Sequence, residues 1–415
     1  MERIGNTDQI NLCLCIETSL RKWGVGYGKK DSLWLITPEY FQVSKRQLEQ
    51  MSLTTRLFQD LMFGKDTKGI YLRGDFIPTV EGEMFLAEYN DTPVGEGEIT
   101  ALRYIYDSFV DFPIGYRWPS TDASAVVSQT LDKLYPNKTV GIVVPPRRTS
   151  YIKDYEILAS NCRALGVSVK VIHPSESRDS LKQVGVIYRT FQKNDLEGWE
   201  LGKYAHERVL DGKKEMFPGF PKTDSKQIMA EVFMKNAVDS RLKGLLPWTW
   251  EVNPENPPIF EGVKVSWEKV LTGDFPIPLV AKAISGREAK QMFFSEADND
   301  FLKRSAREAW ILRLKNILEN YQSGEKWIMQ EDLTKKVKKY SFPYLSQEVR
   351  HHFTGNVINP THMAVKQNLG ARICFTWVGS HWYDSQVAEI DVSLLDNRIV
   401  HTTSNSIHVP AVVEI

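Results

Sequence analysis

The stretch from 139 to 191 constrains the fold most. Residues 139–144 (Thr-Val-Gly-Ile-Val-Val) form a β-branched run of the kind a fully buried strand uses. Residues 151–165 follow with a helical pattern that stops at Gly166, a C-cap. Strand-like runs return at 167–173 and 184–191. Strand, helix and strand in this order specify a parallel α/β unit. No Gly-x-Gly-x-x-Gly follows the first strand, so a dinucleotide site there is not expected. Pro145-Pro146-Arg147-Arg148 fills that turn, placing two arginines at the carboxyl end of a parallel strand, where such sheets bind ligands. A solvent-facing basic turn has equal weight.

A second stretch, 70–93, reads as two short strands joined near 79–82. Alternation puts Arg73 and Asp75 on one face of the first strand, and Glu88 and Asn90 on one face of the second. Antiparallel pairing would gather a cation, two carboxylates and an amide. Hard oxygen donors of this kind suit Mg²⁺ when substrate phosphates complete its shell, and Arg73 could meet a phosphate oxygen. The alternative is a solvated hairpin face.

Around these two units, Ser44 is a plausible cap for a helix running through Met62. Residues 7–22 fit a helix or a strand, and a helix is expected over about 98–111. Residues 194–223 are polar and broken by Gly212, Pro218, Gly219 and Pro221, which predicts an exposed excursion. Helices are expected over 225–238 and 298–321, and strands over 278–283, 291–294 and 326–333. Residues 334–369 read as irregular, followed by a strand pair over 372–378 and 387–394. Trp248 and Trp250 are read as core or lobe interface rather than a stacking platform. Lys282 lies on an apolar strand before a Ser-Gly turn, where a lysine can reach phosphates that loop N–H groups cradle; the alternative is a lysine snorkelling from an edge strand. Gln330 and Glu331 end an apolar strand that could form an adenine hinge. His351, His352 and His362 lack a metal-ligand pattern and are read as solvated loop residues.

With 52 basic and 52 acidic residues, the chain has no basic surplus for nucleic acid as its main partner. No apolar run approaches the ~18 residues a membrane helix requires. The first residues lack a signal-peptide core, so a cytoplasmic protein is expected, with no membrane partner. Cys13, Cys15, Cys162 and Cys374 have no zinc spacing and are read as reduced, buried thiols.

Taken together, the motifs resemble the synthetase domain of glutathionylspermidine synthase and its stand-alone relatives, which are circularly permuted ATP-grasp ligases. The family's Arg-x-Asp-Phe and Glu-Tyr-Asn-x-Asp-Thr strands look like Arg73-Gly74-Asp75-Phe76 and Glu88-Tyr89-Asn90-Asp91-Thr92, with one residue missing before Asp91. Its Lys-Pro-Ile-x-Gly-Arg-Glu-Gly loop looks like Lys282-Ala283-Ile284-Ser285-Gly286-Arg287-Glu288-Ala289, and its Tyr-x-x-Gln-Glu hinge is similar to 327–331. The strand at 188–191 resembles its Lys-Thr-Trp strand, and 400–410 resembles its closing segment.

The resemblance implies Mg²⁺ ligands Asp75, Glu88 and Asn90. It implies ATP contacts from Arg73, Lys282, Gly286, Glu288, Ala289, Gln330, Glu331 and Leu333, with Arg73 and Lys282 catalytic. Thr92 and Thr190 would lie near the substrate, joined by Arg147 and Arg148. The family's nucleotide lysine in an Asn-Lys-x-x-Leu segment maps onto Asp239–Lys243, where Arg241 or Lys243 could serve. Three departures stand out. Arg147 and Arg148 replace paired acidic residues, Glu389-Ile390-Asp391 replaces an Arg-Glu pair, and Ala411 or Val412 replaces a basic residue.

The implied fold is α+β/α/β, a circularly permuted ATP-grasp with a pre-ATP-grasp (Rossmann-like) lobe. Its expected parts are 1–120 (catalytic lobe with the metal hairpin), 121–240 (α/β lobe), 241–335 (lid) and 336–415 (rest of the catalytic lobe). The implied activity joins a peptide- or amino-acid-like carboxylate to an amine through an acyl phosphate. The alternative is a non-catalytic ATP-binding sensor or scaffold. Related ligases often pair, so a homodimer is one open assembly.

Overall fold

The computed structural model describes residues 6–24, 34–64, 67–120, 122–234, 240–284, 292–295, 303–322, 324–345, 363–395 and 406–415. The fold is mixed α/β, with a large mixed sheet and a separate parallel sheet.

In the large sheet the strands run in the order Trp34–Leu35, Ser406–Glu414, Gln386–Leu395, Met363–Gly379, Ile70–Pro78, Met84–Asn90. Lys339–Leu345 pairs along Met363–Gly379, so part of the stretch read as irregular is strand. One face is apolar. Leu72, Phe76, Ile373, Phe375, Ile390 and Val392 pack there with Cys13, Met51, Phe58 and Ile105 from the helices Asn6–Trp23, Lys45–Met62 and Glu96–Phe109. Residues 7–22 are therefore helical. Of the four thiols Cys15 is exposed, against expectation, because its helix turns it away from the face that buries Cys13. Ser44 caps its helix as expected: its hydroxyl accepts from Gln47 N at 3.3 Å and its own N–H donates to Gln47 Oε1 at 3.0 Å.

The parallel sheet runs Val169–Ile172, Val140–Val143, Val186–Arg189, Glu215–Phe217. Gly166 follows the helix Ile152–Ala164 with φ of +92°. The expected excursion at 194–223 is instead part of this lobe. It supplies the helix Glu200–Leu210 and the edge strand Glu215–Phe217, held by the buried Leu201, Ala205 and Phe217. The lobe packs on the other face of the large sheet through Tyr71 and Val378.

A third, antiparallel sheet orders Thr249–Glu251, Trp327–Glu331, Leu279–Ala283, Met292–Phe294. Trp248 and Trp250 stack at 6.2 Å in its core, as expected, with Phe293 and Trp310. Among the described residues no helix is long and apolar enough to cross a membrane.

Candidate functional site

The hairpin forms with Ile70–Pro78 antiparallel to Met84–Asn90, and its register sets the site. Glu88 lies opposite Asp75, Asp75 opposite Cys374, and Cys374 opposite Asp391. In the next row Asn90, Arg73, Thr376 and Glu389 are partners. Because side chains alternate, both rows stand on the face opposite the apolar core.

Asp75 is the hub and is buried. Arg372 Nη2 lies 3.0 Å from its Oδ2, Arg73 Nε 3.8 Å from its Oδ1, and Asn90 Nδ2 donates to it at 3.5 Å. The Cys374 thiol donates to it at 3.6 Å, and burial pushes that thiol up to about 12, so it is no nucleophile at neutral pH. Glu88 is half-buried, with Lys226 Nζ 3.8 Å away. Lys226 also donates to the Ile284 carbonyl at 3.3 Å, which ties the hairpin to the third sheet.

Lys282 projects from that sheet and donates to Gln330 Oε1 at 2.5 Å. Burial pushes its ammonium down to about 8, and the neighbouring Lys226 adds to this. Glu88, Asp332 and Asp75 oppose the shift. Two lysines and three carboxylates thus share one electrostatic neighbourhood between hairpin and third sheet.

Among the described residues no three His, Cys, Asp or Glu side chains gather as a metal-ligating group. Mg²⁺, however, needs only one or two carboxylates when phosphates and water complete its octahedron. Adjacent Asp75 and Glu88, with the Asn90 amide in the next row, fit that chemistry. Lys226 and Arg372 neutralise the two carboxylates meanwhile.

The remaining expected residues divide. Gln330 is buried, its amide donating to Thr249 Oγ1 at 3.2 Å. Glu331 is ion-paired to Lys336 at 2.5 Å. Its N–H donates to Trp248 O at 2.7 Å, and the Leu333 carbonyl accepts from Lys336 and Val337. Arg241 and Lys243 are exposed on the short turn Ser240–Gly244. It is Lys226, on the first turn of the helix Ser225–Met234, that faces Glu88. Arg147 is ion-paired to Asp195, and Arg148 donates to the Pro93 carbonyl at 3.3 Å. The buried Thr190 hydroxyl donates to Val143 O at 2.7 Å, and buried Thr92 accepts from Gln192 at 3.4 Å. Gly286, Glu288 and Ala289 lie outside the described residues, as do His351, His352 and His362.

Sequence reasoning missed Lys226, Arg372 and Arg189. Arg189 is fully buried. It donates to Asp91 Oδ2 and O at 2.7 Å, Phe191 O at 2.8 Å, and Pro218 O and Gly219 O at 3.0 Å. It fastens the exit of the hairpin to the parallel lobe.

No known protein family and no curated protein matches this sequence. Among solved structures, the chain is similar to a protein of Methylobacillus flagellatus KT assigned provisionally as a gamma-glutamylcysteine synthetase. Identity is 12%, coverage 85% of this chain and 84% of that one, and TM-score 0.38. It is also similar to a D-cycloserine synthetase, with 12% identity, 61% and 90% coverage, and TM-score 0.29. Likeness this low adds nothing to the geometry.

Proposed function

We propose that this chain is an ATP-dependent ligase that joins a peptide- or amino-acid-like carboxylate to an amine, built on the circularly permuted ATP-grasp plan. The observation that carries the reading is the meeting of Asp75 and Glu88 with Lys282 and Lys226 across the gap between hairpin and third sheet. Asp75, Glu88 and Asn90 would hold Mg²⁺. Bound Mg·ATP supplies the phosphoryl group that activates the substrate carboxylate. Lys282 and Lys226 carry the positive charge that holds phosphate oxygens, and Arg73 stands beside Asp75 to meet the transferred group. The third sheet brings Lys282 over the hairpin and helps exclude water, against which an activated carboxylate must be protected. Arg148, half-buried beside Pro93, is the better placed of the two arginines for a substrate carboxylate, since Arg147 is held by Asp195.

The second reading, a nucleotide-binding protein without turnover, is favoured by one observation. Arg147 and Thr190, both expected on the acyl substrate, are engaged within the protein.

The test is ADP formation from Mg·ATP with pooled amino acids, small peptides and polyamines. Turnover that requires the pool and vanishes in Glu88→Gln is expected. Glu88-dependent ATP binding without turnover on any pool favours the second reading, and no ATP binding refutes both.

A further inference from the structure

Beside Arg73, the polar face of the large sheet meets the first turn of the helix Glu96–Phe109 and the parallel lobe. Three carboxylates, Glu96, Asp154 and Glu389, are buried there. Asp154 is fully used, accepting from Gly95 N and Glu98 N at 2.8 Å each. Glu96 Oε1 accepts from the Tyr71 hydroxyl and from Val94 N at 3.1 Å. Glu389 Oε1 accepts from the Thr376 hydroxyl at 3.2 Å. Glu96 Oε2 and Glu389 Oε2 have no hydrogen-bond donor, although the two side chains are 0% and 5% exposed. The Tyr188 hydroxyl is fully buried and also has no partner, and its strongest electrostatic neighbours are Glu96 and Tyr71. Two carboxylate oxygens without donors, next to an unpartnered phenol, mark a place for a group that is cationic and rich in N–H.

We propose that Glu96, Glu389 and Tyr188 receive the ammonium group of the amine substrate, a small primary amine, and that Glu389 takes the proton this amine must lose before it reacts. The proposal rests on the ligase reading and names the amine's site within it. An ammonium group carries three donors, enough for both bare carboxylate oxygens and the phenol oxygen. The side chains about these carboxyls, Tyr71, Tyr155, Tyr188 and Thr376, are all fully buried, so a second charged end on the amine would be left without solvent. Thr376 is the cross-strand partner of Arg73, so this carboxyl cluster adjoins the residue proposed to meet the transferred group.

The step balances. R–NH₃⁺ gives one proton to the Glu389 carboxylate and becomes R–NH₂. Its lone pair attacks the acyl carbon, the C–N bond forms, and the C–O bond to phosphate breaks with its electron pair leaving on phosphate. The second nitrogen proton follows onto that phosphate. Burial, together with repulsion among the carboxyls, holds Glu389 well above its ordinary value and lifts Glu96 to about 7; the arriving ammonium displaces the Glu389 proton to solvent, and the resulting carboxylate, still of raised proton affinity, takes the amine's proton as the C–N bond forms.

Thermal melting without ATP tests binding alone. At equal ionic strength, methylammonium chloride should raise Tm by about 2 °C or more, dose-dependently, while tetramethylammonium chloride and KCl should not. Glu389→Gln and Tyr188→Phe should each lose the difference. Equal shifts for all three salts, or an undiminished shift in both variants, overturns the proposal. So does a KCl shift as large as that with methylammonium, which would mark a metal-cation site.

Turnover with N-acetylated amino acids as carboxylates then separates proton transfer from the ligase reading. Glu389→Gln should lose at least tenfold with methylamine and far less with hydroxylamine, which is unprotonated at neutral pH. Equal losses overturn the proton-acceptor role. A wild-type protein that shows the methylammonium shift but makes neither amide nor hydroxamate refutes the ligase reading while the ammonium site stands.

Discussion

Replacing Lys282 with Met tests the electrostatics of the site at its centre. The ammonium is pushed from 10.5 down to about 8, chiefly by burial. That displacement corresponds to about 3 kcal/mol of differential stability. At pH 7 the lysine is charged in both folded and unfolded chains, and the folded state bears the whole cost. Between pH 8 and 10.5 the folded lysine has lost its proton and the unfolded one has not, so stability rises with pH. Above 10.5 the cost is gone. Lys282→Met removes this titration, and other groups that titrate in the same range cancel in the comparison. The unfolding free energy of the wild type minus that of Lys282→Met should therefore climb by up to about 1.4 kcal/mol per pH unit, about 3 kcal/mol in all, from pH 7.5 to 10.5. Urea denaturation at half-unit intervals measures it. The lost bond to Gln330 shifts the difference by a constant and leaves its slope intact. Binding of Mg·ATP supplies the matching readout. A phosphate oxygen calls for the charged lysine, so Kd should be flat below pH 8 and rise about tenfold per unit above it, and the variant should bind weakly with no such inflection. A wild-type-minus-variant difference constant to within about 0.5 kcal/mol across that range would show Lys282 to be an ordinary solvated lysine and refute the reasoning.

Three further outcomes are expected. Arg189→Met should destabilise by about 3–5 kcal/mol in urea, because it leaves the Asp91 carboxylate unpaired beside buried carbonyls. Arg147→Ala breaks a pair whose arginine is partly exposed and should cost about 1 kcal/mol or less. Similar losses for the two would contradict the burial argument. Gly97→Ala would place a Cβ 2.1 Å from the Asp154 carbonyl and 2.8 Å from Leu158 N, so the helices Glu96–Phe109 and Ile152–Ala164 must separate. A loss of at least about 1–3 kcal/mol, read as a fall in Tm, is expected, and an unchanged Tm would refute the close approach.

What could be read in the sequence were features written within a dozen residues. The Ser44 cap, the β-branched parallel strands and the alternation of Arg73 with Asp75 and of Glu88 with Asn90 are local, and each formed where expected. Alternation tells which face a side chain takes but not which strand lies beside it. Arg372 and Cys374 reach Asp75 across about three hundred residues of chain, a pairing no local pattern encodes. The edge strand Glu215–Phe217 is too short to show a period, and its polar surroundings hid it.

The misplaced lysine is more instructive, because a physical signal for it was present. Lys226 sits in the first turn of the helix Ser225–Met234, where the helix dipole disfavours a cation. A carboxylate beside such a lysine offsets that cost, and the structure supplies Glu88 at 3.8 Å. Arg241 and Lys243, read from motif spacing, stand exposed on the short turn Ser240–Gly244. Arg189 carries the same signal. A guanidinium inside the apolar strand Val186–Arg189 requires a buried partner, and Asp91 is that partner at 2.7 Å. Lys282 on its apolar strand is the third case, and the one the sequence did reveal. In each, a charge in a position its local surroundings disfavour points to an opposite charge or a hydrogen-bond acceptor brought from elsewhere in the chain. These are the residues that join hairpin, parallel lobe and third sheet around the site.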